Sequence, residues 1–322
     1  MKRGGIYMSF FLVAILPGIL FSVVSGMRNR EGKEDGIRIN EVSYEISVLD
    51  GQEVYMMELD EYITGVLLGE IPADFETETL KAQAVTARTY TLARVGKSTK
   101  HPQADVCMEA SCCQAFADPF TYPDDQYLAR AKRAVTETAG QVITYNGKLI
   151  EATYFSCSGG RTEDAAAVWG TEIPYLVSVD SPGENQSEHY EKSFTISREK
   201  FLNLLGLPSS LMIYDDSIHF TFTEGGGVLE MSIGEDTFTG VQLRTLLNLP
   251  STAFTLAFID NDVRITTKGY GHRVGLSQYG AEAMAVNGST YEQILKHYYP
   301  GTVLEVITQK QLQAVFDKAQ IL

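Results

Sequence analysis

A chain of 322 residues, 44% hydrophobic and 10% aromatic, buries one large core or two modest ones and needs no disordered tail to explain it. Its 41 acidic residues outnumber 26 basic ones, for a net charge of −15, and no Lys/Arg cluster interrupts the excess. That argues against a nucleic-acid partner, because binding polyphosphate depends on clustered cations that release counterions.

After Met1-Lys2-Arg3 comes an uncharged, largely apolar run from Ile6 to Val24, with no charge until Arg28. Roughly 20 such residues cross a bilayer, so the run reads as a membrane span. A cleaved signal peptide is the competing reading, because Ser22, Ser25 and Gly26 offer small residues to a peptidase. The run is longer than a usual signal segment, so residues 1–27 are taken as an uncleaved N-terminal transmembrane helix. The expected placement is the cell membrane, single-pass, with the N-terminus inside and the body outside. Residues 28–36 are charged and contain Gly32 and Gly36, the composition of a flexible linker, and the folded domain spans 37–322.

That domain opens on alternating stretches at Ile37–Val42 and Tyr44–Val48, then Asp50-Gly51 and Glu53–Met57, a hairpin pattern. Asp60 to Glu70 reads as a short helix, with Asp60 as N-cap, Tyr62, Val66 and Gly69 on one face, and Pro72 barring continuation. A second helix spans about Glu78 to Val95, where Leu80, Ala84, Ala87 and Thr91 recur at helical spacing and Gly96 ends it. Glu70 thus sits on a last helical turn, beside Leu68, Ile71 and Phe75. The negative helix end and desolvation both raise a carboxyl's pKa, and a glutamic acid still protonated near neutral pH suits general-acid catalysis.

Beyond Gly96, His101, Cys107, Cys112 and Cys113 gather three of the four cysteines near a histidine. Thiolates with imidazole suit zinc, and a disulfide from Cys107 fits the same residues; the neighbours Cys112 and Cys113 are too close to bond comfortably. Asp125 to Gly140 is helical in pattern, and strands at Gln141–Tyr145 and Leu149–Phe155 flank Asn146-Gly147, a strong hairpin signal. Ser156-Cys157-Ser158-Gly159-Gly160-Arg161-Thr162 follows, small residues that let a ligand approach backbone. From about 193 to 259 the composition turns strand-rich, with a short helix near Arg244. Last comes Gly269-Tyr-Gly-His272-Arg273-Val-Gly-Leu-Ser277-Gln278-Tyr279-Gly-Ala281, a glycine-rich loop leading into a helix, then His297-Tyr-Tyr-Pro-Gly301. His272, Ser277 and Gln278 offer donors and acceptors to N-acetyl and hydroxyl groups, and Tyr279 an apolar face to a sugar ring.

Four of these blocks together, namely Tyr62 to Pro72, Leu80-Lys-Ala-Gln83-Ala-Val-Thr-Ala-Arg88-Thr-Tyr90, the Ser158 loop and the His272 loop, resemble the sporulation-D/amidase-enhancer family. Arg273 departs from the family's commoner glycine, and Cys157 from its Ser or Thr. The resemblance implies an α+β domain of mixed and antiparallel sheets with packed helices, a variable strand-rich insertion at about 193–259, and a glycan cleft between the Glu70 helix and the Gly-His loop. It implies a lytic transglycosylase in which Glu70 protonates the oxygen between N-acetylmuramic acid and N-acetylglucosamine, leaving 1,6-anhydro ends on peptide-free peptidoglycan strands. Gln83, Arg88, Ser158, His272, Ser277, Gln278 and Tyr279 fall in its substrate-binding blocks, with Arg88 expected on a lactyl or acetamido group or tuning Glu70. His101, Cys107 and Cys113 match the zinc set of some members, with Cys112 as the alternative third ligand. The implied partners are a cell-wall amidase and an engulfment membrane protein. A related amidase enhancer that binds wall without cutting it is the alternative, and a zinc hydrolase lacks the His-Glu-x-x-His base.

Overall fold

A computed structural model describes residues 44–98, 100–213 and 217–319. The expected membrane span, the linker and the strand at Ile37–Val42 lie outside these residues, and no described helix is long and apolar enough to cross a membrane. The fold is mixed α+β, built of small sheets and packed helices.

The expected hairpin is present as β1 (Glu45–Asp50) and β2 (Glu53–Glu58), antiparallel with Asp50 opposite Glu53. Helix α1 (Leu59–Glu70) follows directly. Its cap position is Glu58, not the expected Asp60, whose carboxylate lies in the first turn and reaches Arg88 at 3.4 Å. Helix α2 (Thr77–Arg94) is buried on nearly every side, because Ala82, Ala84 and Ala87 let neighbours approach closely all round. Glu282 from a later helix accepts hydrogen bonds from Glu76 N and Thr79 Oγ1, both at 2.8 Å, and so caps α2 in place of a local side chain. Strand β3 (Val106–Cys107) pairs parallel to β1, and α3 (Asp125–Glu137) is capped by Asp124, which takes Gln126 N and Tyr127 N.

Strand β4 (Gln141–Tyr145) turns through Asn146 at φ 51° and Gly147 at φ 72°, the paired positive angles of the expected tight turn, into β5 (Lys148–Leu149). The expected strand through Phe155 is broken there, because only Tyr154–Phe155, strand β6, finds a later partner. Next come α4 (Ala165–Trp169), β7 (Glu191–Ser197), α5 (Arg198–Leu204), β8 (Ile218–Phe222), β9 (Val228–Ile233), β10 (Asp236–Thr239), α6 (Gly240–Leu246), β11 (Phe254–Ile259) and β12 (Asp262–Lys268). The chain closes with β13 (Leu276–Ser277), parallel to β6, then α7 (Gln278–Val286), α8 (Tyr291–Tyr298), β14 (Val303–Val306) and α9 (Gln309–Ala319).

Three cores result. One joins α1, α2, α3 and β1 through Tyr62, Val66, Leu80 and Val135. A second, on the other side of α2, gathers Val85, Ile143, Leu276, Ile294 and Tyr298. The third belongs wholly to the strand-rich insertion, around Phe201, Met231, Leu243 and Ile265. The insertion holds two helices, and β12 carries it to Lys268, past the expected boundary, because β12 is the central strand between β11 and β7.

Candidate active site

Glu70 ends α1, half-buried, and three donors converge on it. Ala115 N–H donates to Oε1 at 2.6 Å, the Tyr154 hydroxyl to the same oxygen at 3.1 Å, and the Gln278 amide to Oε2 at 3.3 Å. Burial raises the carboxyl's pKa above the ordinary glutamate value, and the three donors pull it only part of the way back. Oε1 takes two bonds and Oε2 one long one, so Oε2, on the Gln278 side, is the oxygen freer to carry a proton. None of these partners is a second carboxylate.

Each donor has a structural cause. The loop carrying Ala115 lies flat on α1 because Gly65 and Gly69 present no side chain there. A Cβ at Gly65 would lie 2.1 Å from the Phe116 ring, and one at Gly69 would lie 2.8 Å from Phe116 N. Ala117 N then bonds Gly65 O at 3.0 Å and Phe116 stacks on Tyr62. Tyr154 arrives on β6 and also bonds Gln114 Oε1 at 3.2 Å. Gln278 begins α7, which is capped by Ser277. Ala115, Gln114 and Tyr154 were not among the residues expected from sequence. Main-chain donors and a tyrosine in a two-residue strand leave no pattern there.

Of the expected substrate residues, Gln278 reaches Glu70, and Tyr279 is half-buried with its ring edge-on to Phe75 at 5.1 Å. His272 packs between Phe155 and Trp169, its Nδ1 accepting Val274 N–H at 3.1 Å. Burial and the Arg244 charge lower its pKa to about 4, so the ring is neutral at pH 7, while the Tyr154 carbonyl acts the other way. Four expectations need correcting. Arg88 is 1% exposed and bonds the carbonyls of Val135, Thr138 and Gln141, so it ties the end of α3 to α2 and does not face a ligand. Gln83 is fully buried, with neither amide atom hydrogen-bonded. Ser158 and Ser277 are fully buried and bond Glu184, as do Ser181 and the backbone of Gly159. Glu184, unforeseen from sequence, is the anion that gathers both small-residue loops.

Beside Ala115, the ring nitrogen of His101 and the sulfurs of Cys107, Cys112 and Cys113 all lie within 4.8 Å of one another. His101 Nε2 stands 3.3 Å from Cys112 Sγ and 3.5 Å from Cys113 Sγ, and all four cysteines of the chain are unbridged. Cys112 thus joins the expected set instead of competing for it. Three thiols and an imidazole are a tetrahedral zinc donor set, and these separations fit bonds of about 2.0–2.3 Å to a shared ion.

The family model described as stage II sporulation protein matches residues 50–145, which carry Glu70 and the cysteine cluster. Stage II sporulation protein D of Bacillus subtilis is 34% identical over 274 residues, 83% of this chain and 80% of that protein. The Bacillus amyloliquefaciens protein of that name is 35% identical over 284 residues, 85% and 82% of the two chains. A Bacillus subtilis amidase enhancer is 29% identical over 298 residues, 75% of this chain and 40% of that protein.

Proposed function

The chain belongs to the stage II sporulation protein family, and from that premise we propose that it is a sporulation enzyme of the cell wall, a lytic transglycosylase. The substrate is peptidoglycan glycan freed of stem peptides, cut between N-acetylmuramic acid and N-acetylglucosamine. The observation that carries this reading is the Glu70 carboxyl, raised in pKa by burial and surrounded by neutral donors alone.

The neutral acid gives its Oε2 proton to the glycosidic oxygen as the bond to C1 of the muramic sugar breaks. Ala115 N–H and the Tyr154 hydroxyl hold Oε1, and they steady the carboxylate as it forms. The muramic 6-hydroxyl then closes on C1 and returns its proton to Glu70, so no water is consumed. Hydrolases use a second carboxylate to activate water or attack the sugar. Here the tethered hydroxyl, at high effective concentration, takes that part.

His101, Cys107, Cys112 and Cys113 would hold zinc. When bound, it supplies a cross-link; Cys113 stands two residues before Ala115, so the clamp fixes the loop whose N–H reaches Glu70. The apolar run at residues 6–24 anchors the chain in the membrane with the catalytic domain outside. A cell-wall amidase that strips stem peptides and an engulfment membrane protein are the partners. The similarity to an amidase enhancer favours one other reading, wall binding without cleavage.

Incubating the protein with peptide-free glycan in heavy-oxygen water separates these readings by mass. Anhydro-muramyl ends without the label are expected. Labelled reducing ends would overturn the transglycosylase, and intact glycan would favour the enhancer.

A further inference from the structure

Arg88 is buried among main-chain carbonyls, and another arginine stands where a ligand can reach it. Arg244 lies in the last turn of α6, in the insertion, and is partly exposed. Its Nε donates to Leu249 O at 3.4 Å, and among the described residues neither Nη nitrogen has a protein partner. The next carbonyl, Pro250 O, accepts Gly271 N–H at 3.0 Å, which pins this segment of the insertion to the backbone between Tyr270 and His272. Arg244 therefore lies beside the Gly-His loop, and its charge acts on His272.

Two rings on or against the same loop are open to solvent. Trp169 is 44% exposed, with its indole 5.4 Å from His272, and Tyr270 is 47% exposed, with its ring 4.4 Å from His189. Large rings with a polar edge are enriched on surfaces that bind. A pyranose offers such rings an apolar C–H face. The chain as a whole, at a net charge of −15, repels an anionic sugar, so a local guanidinium is needed to hold one.

We propose that Arg244, Trp169 and Tyr270 form a subsite for a muramic acid unit of the glycan, the sugar lying on the rings and its free lactyl carboxylate on the Arg244 fork. The assignment rests on the reading of the substrate as muramic glycan. It gives the insertion a share in recognition, where its variable sequence had promised none. A carboxylate matches the paired donors of a guanidinium, whereas the amide left by an attached stem peptide is uncharged and forfeits that match. The subsite thus reads whether the stem peptide has been removed. His272 links it to the acid, because the imidazole sits against the Tyr154 backbone and the Tyr154 hydroxyl sits on Glu70.

Trp169 is the chain's single tryptophan, so its emission reports on this place alone. The test uses the full chain as Glu70→Gln, so that glycan is not consumed, titrated with peptide-free glycan and with the same glycan after methyl esterification of its lactyl groups. The free acid should bind about tenfold tighter than the ester and shift the Trp169 emission. Adding Arg244→Gln should abolish the preference while leaving ester binding in place, and Arg244→Lys should restore part of it. A merely structural arginine would weaken both forms alike. Equal affinity for acid and ester in the parent protein, glycan binding that leaves the emission unchanged, or no binding at all would overturn the subsite. Discriminating binding without cleavage by the wild-type chain would spare the subsite and remove the transglycosylase. Cleavage with no discrimination would do the reverse.

Discussion

At Glu70, desolvation opposes ionisation and three hydrogen bonds favour it, and burial is the larger effect. A carboxyl raised in the folded state binds its proton more tightly there than in the unfolded chain, so between the two pKa values stability falls as pH rises. Glu70→Gln keeps the shape, removes that loss and removes the transferable proton. Glycan cleavage should fall by about 10²-fold or more, the scale of general-acid catalysis. The melting temperature at pH 7 should equal or exceed that of the parent, and the difference should shrink as pH drops below the ordinary glutamate pKa. Cleavage ends quantified beside thermal melts at pH 4 and pH 7 check both halves. Undiminished turnover would move the chemistry to another residue. Glu70 was legible in sequence because Pro72 fixes where its helix ends. Arg88 and Gln83 misled because polar residues of a signature block read as exposed, although Ala82, Ala84 and Ala87 around them signal a helix buried on all faces.

Between elements, a buried ion pair at the Gly-His loop helps to fasten the insertion. Arg273 Nη1 meets Glu163 Oε1 at 2.9 Å, and the same oxygen accepts Thr223 Oγ1 and Gly227 N from the turn between β8 and β9. Arg273 Nη2 also donates to Gly225 O at 2.7 Å. Arg273 stands at φ 65°, a conformation in which glycine is at ease and arginine is strained, which explains why glycine is the family's commoner residue there. Here the ion pair outweighs the strain. Arg273→Gly relieves about 1 kcal/mol of backbone strain but leaves the Glu163 carboxylate buried without its cation, a loss of about 3–5 kcal/mol. Net destabilisation of about 2–4 kcal/mol should appear in urea unfolding, and Glu163→Gln together with Arg273→Gly should recover much of it. A stable single variant would show that the pair fastens nothing. Elements with local signals were readable in advance: the Asn146-Gly147 turn, the hairpin at Asp50-Gly51 and the helix behind Asp124. Strand β13 was not, and β6 was readable only as the end of a longer strand, since the two pair with one another across more than a hundred residues of chain.

Across the whole molecule, metal removal should tell the three cores apart. The cysteine cluster borders the first and second cores, against both of which Cys113 packs, and Phe116 lies on α1. The insertion's core shares no residue with that region. If zinc clamps His101, Cys107, Cys112 and Cys113, its withdrawal leaves four side chains without their common partner and frees the loop that delivers Ala115 to Glu70. About one zinc per chain is expected in protein purified without chelator. Stripping it should lower the melting temperature by several degrees, the shift that a loss of a few kcal/mol produces. Amide exchange should rise across residues 100–117 and the last turn of α1, with little change in β7 to β12. Cleavage should fall in parallel and return with added zinc, because the acid survives while its Oε1 donor has moved. Uniform exchange changes over all three cores would instead mark the ion as a general requirement for folding. Unchanged melting and exchange after the metal is gone would show that packing of Phe116 into the space at Gly65 and Gly69 holds the loop unaided.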